Sequence, residues 1–210
     1  VEASGGGCTS AMTGSVSVTV NALPVVTISG LAATYCSNDI LTLLVGSPAG
    51  GTFTGPGIIG GQFSASSAGP GSHVIGYEYT DAGTGCLATA TQSVTVNQAP
   101  TAFAVTGGGS FCAGGSGVAV GLSGSQTGVN YQLKRDGSNV GSPVAGTGNA
   151  LDFGTFSTSG AYTVVATNPT TTCSADMTGS ATVTPGVVPT AFAVTGGGTF
   201  CAGGSGVAIG

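Results

Sequence analysis

The chain has 210 residues, of which only 4% are charged, against roughly 25% in an ordinary soluble domain. Its two cations and seven acidic residues give a net charge of −5. Two cations cannot neutralise a phosphate backbone, so the composition argues against nucleic-acid binding. No apolar run approaches the roughly 20 residues of a membrane-spanning helix, so we expect no membrane span.

The predicted elements are all strands. The first begins at Cys8 and alternates apolar residues with Thr or Ser as far as Val20, as a strand with one packed face does. Linkers containing Pro24, Pro100 and Pro189 divide the rest of the chain. The strands predicted for the first unit are 25–29, 40–46, 51–55, 61–64, 73–80 and 86–96. Those predicted for the second unit are 102–106, 117–123, 128–134, 139–144, 150–156, 161–167 and 174–184.

The linkers predict four parts. We expect residues 1–21 to be the C-terminal strands of a preceding domain, 24–97 and 100–185 to be complete domains, and 189–210 to open the next repeat. Short strands at intervals of roughly 8–12 residues are typical of immunoglobulin-type sandwiches. The predicted fold class is therefore all-β, with tandem immunoglobulin-like β-sandwich domains arranged as beads on a string.

A long internal repeat supports this division. Residues 100–121 return at 189–210 with 20 of 22 positions identical and a spacing of 89 residues; only Ser110/Thr199 and Val120/Ile209 differ. Repetition at a fixed period indicates a repeat architecture. We expect the chain to be a stretch of a longer array, and we expect neither flanking piece to fold alone.

The six cysteines are of two kinds. Three follow an aromatic residue and three open an alternating run: the first kind is Cys36, Cys112 and Cys201, and the second is Cys8, Cys86 and Cys173. Because the kinds alternate along the chain, the simplest prediction is Cys36–Cys86 and Cys112–Cys173, one disulfide per domain. Cys8 and Cys201 would have partners outside the chain. Such disulfides imply an extracellular or periplasmic location, whereas six buried free thiols in a cytosolic protein are the alternative.

Three features that could carry chemistry have structural interpretations. Gly55–Gly60 matches G-x-G-x-x-G, but a strand is predicted after it, where a dinucleotide site needs a helix. The single histidine, His73, is at every-second-residue spacing with the apolar residues of its predicted strand, so we expect its side chain at the edge of the packed face. Asp39, Asp81 and Asp136 could bind Ca²⁺, but without a D-x-D-x-D cluster a role in turns is favoured. We predict no catalytic, cofactor or metal site, and no enzyme.

Several motifs carry a family resemblance. In the first unit they are YCSND at 35–39, GSPAGGTFTGPG at 46–57, FS at 63–64, AGPG at 68–71, YEY at 77–79 and GC at 85–86. This unit resembles the Ig-like repeats of very large secreted surface proteins of Bacteroidota, which include the giant adhesins of gliding motility that the type IX pathway exports. The second unit, with FC at 111–112, YTV at 162–164 and Cys173, resembles a sibling repeat.

The resemblance implies export, display at the cell surface, and a passive or adhesive role, and it supplies no catalytic residues. The leading hypothesis is a structural segment of a stalk, fibre or filament whose partners are other copies of the same protein. The alternatives are adhesin domains that bind glycans or surfaces directly, and accessory domains of a secreted hydrolase.

Overall fold

The protein is built almost entirely from short β-strands. The computed structural model describes Gly7 and residues 13–210, together with the backbone alone of 2–5 and 8–11. The described residues contain one helical turn and otherwise only strands, turns and loops, so the all-β prediction is confirmed. The chain divides into two compact units, residues 1–98 and 99–210.

The described residues of unit 1 form eleven strands and the helical turn. Their bounds are β1 (Glu2–Gly5), β2 (Cys8–Ala11), β3 (Thr27–Ser29), β4 (Thr34–Cys36), β5 (Thr42–Leu43), β6 (Val45–Ser47), β7 (Thr52–Thr54), β8 (Ile58–Ile59), β9 (Gln62–Phe63), α1 (Ala65–Ala68), β10 (Gly71–Thr80) and β11 (Leu87–Asn97). The main sheet has the order β4-β11-β10-β7, and smaller sheets are formed by β3-β6 and β5-β9-β8. Strands β1 and β2 form a separate antiparallel hairpin.

The long hairpin of β10 and β11 contributes three of the eight buried residues in the core of unit 1. Ile75, Val94 and Val96 are at most 2% exposed and lie on the inward faces of these strands. The ring of Tyr35 from β4 packs on Phe63 with ring centroids 5.0 Å apart. Alternation in the sequence therefore predicts correctly which side of each strand is buried.

Unit 2 contains ten strands. Their bounds are β12 (Val105–Gly107), β13 (Gly109–Phe111), β14 (Val118–Leu122), β15 (Asn130–Arg135), β16 (Ser138–Asn139), β17 (Val144–Ala145), β18 (Leu151–Phe156), β19 (Gly160–Thr167), β20 (Ser174–Asp176) and β21 (Ala181–Pro185). One sheet has the order β12-β14-β18. The other has the order β13-β21-β19-β15-β16, with β17 on β15 and β20 on β19.

The two sheets of unit 2 share a core. Val120 and Leu122 of the first sheet and Tyr131 and Tyr162 of the second are each at most 1% exposed and belong to the same cluster. Each tyrosine hydroxyl has a backbone partner: that of Tyr131 accepts from the amide of Gln126 at 2.8 Å, and that of Tyr162 donates to a carbonyl at 3.0 Å. The unit is therefore sandwich-like, with its buried hydroxyls satisfied.

Some of the predicted strand boundaries are wrong, because the limits of these strands depend on pairing with segments that are distant in sequence. Strands β4 and β13 were not predicted; each is three residues long and pairs in parallel with the last strand of its unit. The strand predicted at 174–184 is divided into β20 and β21, and Gly179 between them has a φ of 75°.

The helical turn α1 was also not predicted, because four residues show no helical period. Ser64 caps it by accepting from the amide of Ser67 at 3.2 Å.

The two copies of the repeat differ in burial. Val120 in the first copy is fully buried, whereas Ile209, its counterpart, is 75% exposed. Both copies keep the same local hydrogen bonds: Gly108 donates to Ala119 at 2.9 Å, and Gly197 to Ala208 at 3.1 Å. Strands β18 and β21 cover the first copy, and the second copy has no such cover among the described residues.

The predicted strand from Cys8 to Val20 is formed only in part. Strand β2 ends at Ala11, and residues 13–26 form no strand. Val16, Val18 and Val20 are each more than 80% exposed. The predicted inward direction of the Cys8 side chain lies outside the described residues.

Candidate functional site

The cysteines are the only feature for which the sequence predicts specific site residues. Cys36 and Cys173 are each in a disulfide, whereas Cys86, Cys112 and Cys201 are free thiols. The side chain of Cys8 lies outside the described residues. The predicted pairs Cys36–Cys86 and Cys112–Cys173 are therefore wrong for this structure.

The register of unit 1 gives the physical reason. Cys36 ends β4 and lies opposite Asn97, the last residue of β11, whereas Cys86 immediately precedes Leu87, the first residue of β11. Eleven residues of extended chain place the two cysteines about 35 Å apart at roughly 3.3 Å per residue. A disulfide requires Cα atoms within about 7 Å.

Unit 2 has the same arrangement. Cys112 comes directly after β13, which pairs with residues 183–185 of β21. Residue 183 also lies opposite Gly160, the first residue of β19, so Cys112 lies just past that end of β19. Cys173 precedes β20, whose first residue pairs with Thr167 at the other end of β19. The two cysteines are again about 35 Å apart along the sheet. In both units, therefore, the two kinds of cysteine lie at opposite ends.

Local hydrogen bonds position the bonded cysteines. The amide of Cys36 donates to Asp39 Oδ2 at 2.8 Å, and the amide of Asp39 donates back to the carbonyl of Cys36 at 3.0 Å. Cys173 is fully buried, and its carbonyl accepts from the amide of Asn168 at 2.8 Å. Asp39 thus closes a turn at the end of β4.

The other acidic candidates also lie in turns. Asp81 Oδ1 accepts hydrogen bonds from the hydroxyl of Thr84 at 2.8 Å and from the amides of Thr84 and Gly83 at 2.8 and 3.1 Å. These bonds, above all that from the Thr84 hydroxyl, lower the pKa of Asp81. Asp136, with a φ of 49°, accepts from the amide of Ala161 at 2.9 Å. The turn interpretation is confirmed for these carboxylates.

The glycine-rich motif is a connection between strands. Gly55–Gly60 begins in the turn after β7 and runs through β8, and the next element is the strand β9. The carbonyl of Gly57 accepts from the amide of Ser64 at 2.8 Å, and a Cβ at Gly57 would overlap Ala68. The glycines therefore allow a close approach between segments of unit 1.

His73 lies in β10, with its side chain half-buried. Its Nε2 donates a hydrogen bond to the carbonyl of Gly69 at 2.8 Å. The residue closes the loop between α1 and β10, as expected for a strand residue at the edge of a packed face. Among the described residues, no three His, Cys, Asp or Glu side chains are grouped closely enough to hold a metal ion.

Unit 2 has a shallow depression of about 250 Å³ over β12, β14 and β18. It forms where Gly107 and Gly121 present no side chains, and Asp152 is its charged lining residue. Asp152 Oδ1 accepts from the amide of Gly154 at 2.8 Å, so this carboxylate is engaged in its own turn.

The described part of the chain contains no helix long and apolar enough to cross a membrane. The sequence matches no protein-family model and no curated protein at a significant level.

Proposed function

We propose that this chain is a structural segment of an extracellular repeat protein that forms a cell-surface stalk, fibre or filament. The observation that carries the proposal is the return of residues 100–121 at 189–210 after 89 residues. An array of β domains in series gives length and stiffness without needing a site in each unit.

The strand order of unit 2 supports an immunoglobulin-like domain. Strands β14 and β18 share a sheet with the first strand, β12, while β15, β19 and β21 lie in the other sheet. In the immunoglobulin fold, strands A, B and E likewise lie in one sheet and strands C, F and G in the other. The hydroxyl of Tyr162, which reaches back to the carbonyl of Thr158, resembles a tyrosine corner.

Disulfides and low charge support the location and the assembly. Disulfides at Cys36 and Cys173 suit an oxidising compartment outside the cytosol. With 4% charged residues, neighbouring copies would have little electrostatic repulsion to oppose side-by-side packing. The proposed partners are therefore other copies of the same protein.

Binding and assembly experiments on the 210-residue chain separate this role from direct adhesion. We expect no selective binding on a glycan array, and we expect lateral association that strengthens with protein concentration in analytical ultracentrifugation. A chain that stays monomeric at high concentration and binds one class of glycan selectively would contradict the structural role and support an adhesin.

A further inference from the structure

We propose that unit 2 of one copy of the chain packs face to face on unit 2 of a second copy, with Lys134 of one copy entering the depression beside Asp152 of the other. The proposal names the surfaces through which copies pack side by side, so it rests on the proposed assembly of copies. It involves two molecules of the chain and unit 2 of each.

The first surface is the outer face of the sheet β12-β14-β18. Gly121 pairs with Thr106 on one side and with Asp152 on the other, so these three residues form a row across the sheet. In the next row, Leu122 and Leu151 are buried in the core. Because successive residues of a strand point to opposite faces, the row that contains Asp152 points outward.

A depression lies in the middle of this row. Gly121 has no side chain, and a Cβ there would contact the Thr106 hydroxyl at 3.1 Å. The space of about 250 Å³ therefore has the hydroxyl of Thr106 on one side and the carboxylate of Asp152 on the other. A carboxylate accepts about four hydrogen bonds, and the bond from the amide of Gly154 uses one of them. The carboxylate is exposed and can accept further bonds from a partner.

The rest of this outer face is made of small side chains. Ala119 of β14 lies opposite Thr155 of β18, and both are exposed. Small side chains allow a second sheet to approach closely. Sheets that pack face to face lie about 10 Å apart, a gap that a lysine from one sheet and a carboxylate from the other can bridge.

The second surface is the outer face of the other sheet of unit 2. Along β15, Tyr131 and Leu133 are buried, whereas Gln132 and Lys134 are partly exposed and point outward. Thr163 of β19 lies opposite Lys134. The sandwich therefore carries an ammonium group on one outer face and a carboxylate beside a depression on the opposite outer face.

The other charged residues of unit 2 are placed differently. Arg135 has the inward parity of Leu133, and its side-chain stem lies against Gly160 at the start of β19. Asp136 accepts a hydrogen bond from the amide of Ala161.

Asp176 shares the outer face of Lys134, but it lies two strands and two residues away, which is about 12 Å. This separation exceeds the Debye length of about 8 Å at physiological ionic strength. Asp152 of a second copy can approach Lys134 much more closely, so it is the carboxylate that best complements this lysine.

The position of the two surfaces determines the type of assembly. They lie on opposite sides of one sandwich, so a contact between them is heterologous and leaves a free surface of each kind at the two ends of the assembly. Such contacts continue into open-ended stacks unless the rotation between copies closes a ring. With only 4% charged residues in the chain, one complementary pair can select which faces meet.

Charge exchange in the full chain tests the proposal by analytical ultracentrifugation. Lys134→Glu and Asp152→Lys each bring like charges together, so each variant alone should associate about tenfold more weakly than the unaltered chain. An equimolar mixture of the two variants places opposite charges at every alternating contact and should recover the original association. Two weakened variants that do not recover on mixing would overturn the proposal.

Neutral variants give a second measurement with less disturbance of the fold. Lys134→Gln and Asp152→Asn should each weaken association about threefold, and Asn at 152 keeps an oxygen for the amide of Gly154. Arg135→Gln is the matched control, because it makes the same change in net charge away from the outer face and should leave association unchanged. Equal weakening by Arg135→Gln and Lys134→Gln would overturn the proposal.

The unaltered chain separates the failure of this contact from the failure of the assembly. An unaltered chain that stays monomeric at every concentration would overturn the proposed assembly and this contact with it. An unaltered chain that associates no more strongly than Lys134→Gln and Asp152→Asn would overturn this contact alone, and copies would then pack through other surfaces.

Discussion

The hydroxyl of Tyr77 should be the main polar contribution to the stability of unit 1. Tyr77 is 2% exposed, and its hydroxyl donates to the carbonyl of Pro48 at 2.7 Å and accepts from the amide of Gly51 at 2.8 Å. Its ring packs on Phe53 with centroids 4.6 Å apart and leaves no room for a side chain at Gly46. The hydroxyl therefore ties the loop after β6 to the central strand β10.

The change Tyr77→Phe keeps the ring and removes both hydrogen bonds. Each bond contributes about 1 kcal/mol net, and the backbone groups of Pro48 and Gly51, which are only partly buried, can be partly hydrated once freed. We expect a loss of about 2 kcal/mol in the free energy of unfolding of unit 1, which corresponds to about a thirtyfold larger unfolded fraction.

Hydrogen-exchange mass spectrometry measures this change separately in the two units. Core amides of β10 and β11 should exchange about thirtyfold faster in the variant, while those of β15 and β19 should be unchanged. Tyr79→Phe is the matched control, because Tyr79 is half-buried in the same strand and its hydroxyl has no hydrogen-bond partner among the described residues. Equal exchange in the two variants would refute the reasoning, as would equal acceleration in both units.

Three further predictions concern single side chains. A Cβ at Gly107, which has a φ of +89°, would clash with the carbonyl of Ala119, so Gly107→Ala should destabilise unit 2 by about 1–3 kcal/mol in urea unfolding. Gly154→Ala is the matched control and should cost less, because Gly154 has a similar φ of +95° and open space around its Cβ. Ser125, 4% exposed, donates to a carbonyl at 2.6 Å and accepts from an amide at 3.0 Å, so Ser125→Ala should cost about 1–3 kcal/mol in the same assay. Because the pKa of Asp81 is lowered, its carboxylate stabilises the fold at pH values above the ordinary pKa, and this contribution is lost as the pH falls through the lowered pKa. Thr84→Val removes the hydroxyl that donates to Asp81 and should raise the pKa of Asp81 in an NMR titration. An unchanged titration would contradict the assignment.

The sequence predicts local features of this protein well. Alternation identifies β10 and β11 and their buried faces, and Asp with Gly marks the turn at 81–85. These features depend on neighbours within a few residues, which the sequence shows directly.

Features that depend on distant pairing are predicted poorly. The parallel strands β4 and β13 are defined by partners some 60–75 residues further along the chain. The disulfide prediction failed for the same reason, because alternation along the chain does not show that Cys36 and Cys86 occupy opposite ends of β11. The repeat gives the plainest example: nearly identical residues are buried at 120 and exposed at 209, so burial follows from the partner strands rather than from the segment itself.

Electron microscopy of the native material tests the structural role most directly. Fab fragments against the exposed hairpin between β15 and β16, at residues 136–139, would mark each copy of unit 2. We expect long, uniform fibres or stalks decorated by Fab at regular intervals. Isolated particles that carry a single Fab, or fibres that no Fab decorates, would contradict it.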